Sequence, residues 1–258
     1  MIDSHCHILP GLDDGPQNIQ DSLKMAEKAI EQGITHIVCT PHYELDKFNN
    51  TKEKIIPKLI ELNNELAKNS MGLILIPAQE IRISGTIPDD IEKNIYIPIG
   101  EIRSYILIEF PHNEIPEYSE KLCFSLISKR ITPIIVHPER NVGFQKDIDR
   151  LIPFLKMGVL TQMTAPSIMG FFGRKAKKSA FLMLRRRMVS LIGSDAHNLT
   201  DRNFYLKEAY KIVENKIGKE EVTKLKKTAE NLLTGDIIGN METERIKSTK
   251  LKKFFSIR

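Results

Sequence analysis

The chain has 258 residues, 41% hydrophobic and 28% charged, with a formal net charge of +5. That length suits one α/β barrel or two small domains with a sizeable buried core, and the composition is that of an ordinary globular protein. No apolar stretch approaches the ~20 residues that span a bilayer, and Asp3 and His5 stand where a signal peptide needs its apolar run.

Three scattered cysteines, Cys6, Cys39 and Cys123, argue against structural disulfides and for a reducing compartment, the cytoplasm by default. The positive charge is concentrated at one end. Residues 241–258 hold six basic and two acidic side chains, which leaves the remainder at about +1. A near-neutral body argues against nucleic acid as a partner. The expected division is one domain over 1–239 and a basic tail over 240–258. That tail is read first as a frayed terminus and second as a contact for a membrane surface or an acidic partner.

Short apolar runs alternate with helical patterns along the chain, the signature of a parallel sheet or barrel. The first run, Ile2–Ile8, predicts a strand carrying His5-Cys6-His7, followed by the Asp13-Asp14-Gly15 turn. A helix is expected over Asn18–Gln32, with Gly33 at the left-handed position that ends helices. Strand two spans Ile34–Thr40 before Pro41-His42, and a helix follows over Glu53–Lys68. Strand three, Leu73–Glu80, leads into the least regular stretch, Glu80 to Gly100, read as a long active-site loop. Strand four is Tyr105–Phe110, with a helix over Pro116–Arg130 and strand five over Thr132–His137. A helix over Lys146–Lys156, strand six at Val159–Thr164, a helix over Ser167–Arg187 and strand seven at Val189–Ser194 continue the alternation. Amphipathic helices at Phe204–Lys216 and Lys219–Leu233 complete it. Seven strands with intervening helices predict a closed or nearly closed (β/α) barrel in a single domain.

In such barrels the active site forms where the strands end. His5 and His7, at i and i+2 on a strand, point the same way and can grip one ion. His42 follows strand two, Glu80 closes strand three, Glu109 strand four and His137 strand five. Asp195 and His197 follow strand seven, and Asp14 lies in the loop after strand one. Strand six offers Gln162 and Thr164. A lone histidine is more often a satisfied polar residue, a lone glutamate a cap or salt bridge, and Asp-Asp-Gly a turn. Joint placement changes the balance, because six of the seven strands deliver such groups to one end. Burying that many ionisable groups is costly unless cations neutralise the carboxylates. Five imidazoles and four carboxylates without thiolate suit two or three Mn²⁺, Fe²⁺ or Zn²⁺ ions and hydrolytic chemistry. Cys6 lies on the opposite strand face from the two histidines and reads as core. No Cys-x5-Arg, G-x-S-x-G or Walker motif competes.

At these residues the chain resembles the polymerase-and-histidinol-phosphatase (PHP) superfamily, and more narrowly the manganese-dependent protein-tyrosine phosphatases of bacterial capsule and exopolysaccharide operons. The matching segments are MIDSHCHILPGLDDGPQ (Met1–Gln17), CTPHY (Cys39–Tyr43), AQEIRISG (Ala78–Gly85), YILIEFP (Tyr105–Pro111), HPERN (His137–Asn141), TQMTAPSIMGFFG (Thr161–Gly173) and GSDAHN (Gly193–Asn198). The resemblance covers about residues 1–235 and implies a distorted (β/α)7 barrel with a trinuclear site. One metal would take His5, His7, Glu80 and Asp195. A second would share Glu80 and add Glu109 and His137. A third would take Asp14, His42 and His197. Arg140 and Arg202 would hold the substrate phosphate, and Arg140 is independently plausible as a guanidinium fork for phosphoryl oxygens. The family usually carries an aromatic after HPER, where this chain has Asn141, a position expected to flank the phosphate. The implied reaction is attack by a metal-bridging hydroxide on phosphotyrosine with no phospho-enzyme, catalysed with Asp14, Arg140 and Arg202. The implied substrate is a membrane-associated bacterial tyrosine kinase controlling polysaccharide export.

Three other readings compete. A small-molecule phosphatase of the histidinol-phosphate kind would share the metals. Amidohydrolases and metal-dependent DNases also open with His-x-His, but usually end on a lone aspartate rather than Asp195-x-His197. A metal-loaded regulatory binder of the kinase with little turnover is opposed by the complete ligand set.

Overall fold

A computed structural model of the chain describes residues 1–100, 104–236 and 238. The expected basic tail over 240–258 lies outside the described residues. Strand β1 (Ile2–Cys6) stops short of the expected Ile8, so His7 sits just past its end. Helix α1 (Ile19–Glu31) is capped by Asn18, whose side chain accepts the Asp21 N–H. It buries Ser22, Met25, Ala26 and Ala29, an i, i+3, i+4, i+7 stripe. Gly33 at φ +79° turns the chain out of the helix.

Strand two divides. After β2 (His36–Cys39) the chain breaks at Thr40-Pro41 and resumes as β3 (His42–Glu44) with a short partner, β4 (Phe48–Asn49). Proline supplies no N–H to continue a ladder. Helix α2 (Lys52–Lys68) buries Ile55, Leu59, Leu62 and Leu66. Strand three divides in the same way, into β5 (Ile74–Pro77) and β6 (Glu80–Arg82). The stretch to Gly100 is therefore not one long loop: it contains β6, helix α3 (Ile87–Glu92) and a bridge from Ile99 to Tyr105.

Strand β7 (Ser104–Glu109), helix α4 (Ser119–Ser128) and strand β8 (Ile131–Val136) follow the sequence pattern closely. The helix expected over Lys146–Lys156 is instead three pieces, namely α5 (Val142–Lys146), a 3₁₀ turn (Ile148–Leu151) and α6 (Ile152–Met157). Asp147 at φ −147° interrupts the helical backbone and caps the turn. After β9 (Leu160–Thr164), the helix expected over Ser167–Arg187 is also split, into α7 (Ala165–Met169) and α8 (Gly173–Arg185). Gly170 and Gly173, at φ +103° and +87°, make the break. Strand β10 (Leu191–Gly193) and helices α9 (Leu206–Lys216) and α10 (Lys219–Thr234) end the described chain.

The strands form a parallel sheet β1-β2-β5 and a second sheet β10-β9-β8-β7-β6-β3-β4, parallel except for the antiparallel β4 edge. Beyond β10 the chain returns to β1: a parallel bridge joins Cys6 to Ala196, and the His7 N–H donates to the Ala196 carbonyl at 2.9 Å. Two apolar clusters lie on opposite strand faces. The larger packs Ile106, Ile108, Ile135 and Ile192 toward helices. The smaller joins Val38, Leu107, Ile134, Leu160 and Leu191 with Leu232 of α10. Among the described residues no helix is long and apolar enough to cross a membrane.

Candidate metal centre

The nine residues singled out as candidate ligands converge at the C-terminal ends of the strands. His5 and His7 are fully buried, with their Nε2 atoms 3.1 Å apart. Each ring is fixed from behind: His5 Nδ1 lies 2.6 Å from Gln162 Oε1, and His7 Nδ1 lies 2.6 Å from Asp13 Oδ2. Gln162 is itself oriented, because its Nε2 donates to the Ser4 carbonyl and hydroxyl. Protons on both Nδ1 atoms leave the two Nε2 lone pairs facing each other, an arrangement that asks for a cation between them.

Glu80 is the hub. Its buried Oε2 lies 3.3 Å from His5 Nε2, 3.2 Å from His7 Nε2 and 3.0 Å from His42 Nδ1, yet makes no hydrogen bond. Its Oε1 meets His137 Nε2 at 2.8 Å. Asp195 Oδ1 stands 3.6 Å from His5, His7 and His197. Asp14 Oδ1 is 3.4 Å from His42 Nε2 and 3.3 Å from His197 Nε2, a buried nitrogen with no hydrogen bond of its own. Three groups have donor atoms close enough to share an ion: His5, His7, Glu80 and Asp195; His7, Asp14, His42 and His197; and His42, Glu80 and Glu109. The first is the set the resemblance implies. The other two differ from it, since His7 joins the Asp14 group and His42 joins the Glu80–Glu109 group. His137 reaches Glu80 but stands 3.9 Å from Glu109.

The electrostatics follow from this crowding. Burial alone would lower the pKa of His5, but Glu80 and Asp195 outweigh it and hold it up to about 9. His42 is raised to about 11 in the same way, by Glu80 and Asp14 against its burial. Burial and Arg140 lower His137 to about 4, while burial and the neighbouring His7 lower His197 to about 4, so both stay neutral. Burial, then the Glu80 charge, pushes Glu109 up to about 7. Glu80, Asp14 and Asp195 resist their burial and stay well below the usual carboxylate range because imidazoles and guanidiniums surround them. A field that holds extra protons on buried imidazoles is one that divalent cations satisfy, and the donor set fits them.

Backbone geometry supports the placement. His137 and Asp195 adopt left-handed conformations, φ +36° and +54°, which are uncommon for non-glycine residues and cluster at functional sites. Gly193 is required by close approach, since a Cβ there would lie 2.7 Å from His5 Cβ. A Cβ on Gly15 would strike the His7 carbonyl at 2.3 Å, so the Asp-Asp-Gly turn tolerates no side chain at its third position.

Three guanidiniums border the cluster. Arg140 Nη1 reaches Asp195 Oδ2 at 2.6 Å, and its plane lies over the Phe172 ring. Arg202 spans Asp14 at 3.0 Å and Asp195 at 3.3 Å. Arg82 pairs with Glu109 at 3.0 Å. These arginines and Phe48 line a cavity of about 170 Å³ over His42, Glu80 and His137.

Sequence reasoning passed over Asp13, Gln162 and Arg82 as functional residues. The only signals were the doubled aspartate, the polar residue inside strand six, and the arginine two places after Glu80. Asn141 borders His137, Arg140 and Glu109. Its side chain accepts the Phe144 N–H and donates to the Pro111 and Glu114 carbonyls, so it also clamps a loop and caps α5. Cys6 is buried with its thiol pushed well up by burial, which suits core packing.

Fold and cluster together define an α/β protein whose parallel strands gather imidazoles and carboxylates in the manner of a polynuclear metal site. Residues 1–234 match the family described as "Capsular polysaccharide synthesis, CpsB/CapC", and the chain belongs to that family. It is 36% identical over 255 residues to the tyrosine-protein phosphatase YwqE of Bacillus subtilis, with 99% of this chain and 100% of that protein covered. It is 29% identical to the tyrosine-protein phosphatase CpsB of Streptococcus pneumoniae, covering 87% of this chain and 94% of that protein. A solved structure from work on these two proteins, described as unique metal-dependent tyrosine phosphatases, superposes with a TM-score of 0.89 at 36% identity. That match covers 93% of this chain and 97% of the other. An organophosphorus hydrolase from Deinococcus radiodurans shares the fold at a TM-score of 0.58 and 12% identity, covering 90% of this chain and 92% of the other.

Proposed function

We propose that this protein is a metal-dependent protein-tyrosine phosphatase acting on a phosphotyrosine protein of capsule or exopolysaccharide synthesis, in the first instance a bacterial tyrosine kinase, and working in the cytoplasm. The observation that carries the reading is the hub at Glu80. A buried carboxylate oxygen with three imidazole nitrogens within 3.3 Å and no hydrogen bond is a ligand position for cations. The family relationship supports tyrosine phosphate as the substrate.

His5, His7, Asp14, His42, Glu80, Glu109, His137, Asp195 and His197 would hold two or three ions, Mn²⁺ in preference to Fe²⁺ or Zn²⁺. Such ions supply an activated water and neutralise phosphoryl oxygens. The chain's own groups do the rest. Arg140 and Arg202 both reach Asp195, so their remaining N–H donors border the cavity where a phosphate would sit and stabilise its equatorial oxygens. Asp13 and Gln162 keep the His5 and His7 rings turned toward Glu80. Phe48, stacked near His42, gives the cavity an aromatic wall that suits an aryl phosphate better than an aliphatic one.

The same reading takes the fold as a distorted seven-stave barrel, with β2–β3 and β5–β6 each counted as one broken stave. The Cys6–Ala196 bridge and the apolar cluster enclosed with Leu232 support closure. It takes residues 1–239 as one domain.

The test is hydrolysis of a phosphotyrosine peptide beside histidinol phosphate and single-stranded DNA, with Mn²⁺ and with chelator. Mn²⁺-dependent release from the peptide, lost in His5→Ala and Arg140→Ala, is the expected outcome. Turnover of only the small phosphate or the DNA would overturn the substrate assignment.

A further inference from the structure

We infer that the groove between α5 and α8 is a docking channel for an acidic segment of the substrate protein flanking its phosphotyrosine. This inference rests on the phosphatase reading and extends it to substrate selection. The groove encloses about 730 Å³ and is separate from the cluster of candidate ligands.

Its walls start at the active site. The 3₁₀ turn carrying Arg140 (Pro138–Arg140) leads through Asn141 directly into α5, and Phe172, under the Arg140 guanidinium at 4.3 Å, leads directly into α8. A chain whose phosphotyrosine is held near Arg140 therefore has the groove mouth beside it.

Its charge is predominantly positive, with Lys146, Lys175, Lys178 and Arg186 set against Asp147 and Asp149. Helix α8 carries Arg174, Lys175, Lys177, Lys178 and Arg185 and no aspartate or glutamate. Lys175 and Lys178 are exposed on the stripe of α8 that lines the groove, and exposed Lys146 faces them from the end of α5. Of the two carboxylates on the opposite wall, one is neutralised by a guanidinium and the other is held by a backbone N–H. Asp149 pairs with Arg186 at 2.5 Å, and Asp147 accepts the Asp149 N–H. Between the lysines lies an apolar floor that includes Ile148 and half-exposed Leu182.

From Lys175 to Arg186 the helix rises about 16 Å, the reach of roughly five extended residues. A concave, apolar-floored channel with a cationic rim suits an extended acidic peptide. A flat anionic surface such as a bilayer could not reach its floor.

The experiment uses the full Mn²⁺-loaded chain and phosphotyrosine peptides alike except for glutamate, serine or lysine flanks on either side. The expected result is a kcat/KM about tenfold higher for the glutamate-flanked peptide than for the serine-flanked one, weakening as salt rises. In Lys175→Glu/Lys178→Glu the ratio of those two values falls to about one or inverts. Fluorescence anisotropy of an unphosphorylated glutamate-flanked peptide, read without metal, shows the same loss. Equal turnover of all three peptides overturns the groove while leaving the phosphatase reading intact. No turnover of any peptide overturns the phosphatase reading, and with it substrate docking. A preference that survives the double charge reversal also overturns the groove as its source. So does binding to phosphatidylglycerol vesicles through these lysines without any peptide preference, which would assign the face to lipid.

Discussion

Two regions along the same strands lie side by side and are chemically opposite. Leu107 and Glu109 lie two residues apart on β7, and Leu160 and Gln162 two apart on β9, so each pair shares a pleat face. The earlier residue of each pair belongs to the apolar cluster with Val38, Ile134, Leu191 and Leu232. The later residue belongs to the polar cluster around Glu80. The apolar region is held by packing and excludes water without help. The polar region sets five carboxylates, Asp13 among them, against five imidazoles and three guanidiniums, and leaves Glu80 Oε2 and His197 Nε2 without hydrogen bonds. One architecture thus carries a packed apolar cluster at one level and the candidate ligands a single pleat further on.

The sharpest way to break this contrast is to remove the hub of the polar region. Glu80→Gln takes one charge from two of the three ligand groups, and kcat/KM for a phosphotyrosine peptide should fall by about 10³-fold or more. The fold should persist, read by unchanged far-UV circular dichroism, because the apolar cluster is untouched. Leu107→Ala is the converse. That side chain is fully buried, so the substitution should cost about 2–5 kcal/mol of stability in a denaturant titration, with kcat of the folded protein little changed.

The strand-end placement of the nine candidate ligands was legible in the sequence because apolar runs mark parallel strands and their ends are fixed by where those runs stop. What supports the ligands was not. Asp13 reads as part of a turn, Gln162 as an isolated polar residue and Arg82 as one arginine among many, because their roles depend on which strand lies beside which. The breaks were missed for related reasons. Pro41 and the Gly170–Gly173 pair were visible, but an apolar or amphipathic pattern continues across each of them. The ladder change from β2 to β3 and the split of α8 from α7 are tertiary decisions.

A smaller effect sharpens the role of those supports. Gln162→Ala removes the partner of His5 Nδ1 while leaving every candidate ligand in place. Mn²⁺ affinity, measured by isothermal titration, should fall about 10–100-fold. An unchanged affinity would mean the packing around β1 alone orients the ring.

The smallest expected effect is one of pH. The folded pKa of His5, about 9, lies above its ordinary value of 6.5. Its contribution to stability is therefore complete below about pH 6.5 and is lost as pH rises through about 9. Thermal melts of chelated protein should show Tm declining across that window. Mn²⁺ should flatten the decline, because an imidazole bound to a cation has no such proton to lose. A chelated protein whose Tm holds or rises from pH 6.5 to 9 would show that the carboxylates do not hold this proton.

The most direct test of the central claim is to titrate chelated protein with Mn²⁺ while following bound metal and phosphotyrosine-peptide hydrolysis in one preparation. The account predicts no turnover in chelator and activity that rises as two or three ions bind per chain, with fewer ions bound and turnover about 10³-fold lower in Glu80→Gln. Full turnover in chelator, or full metal occupancy without turnover of phosphotyrosine, would contradict it.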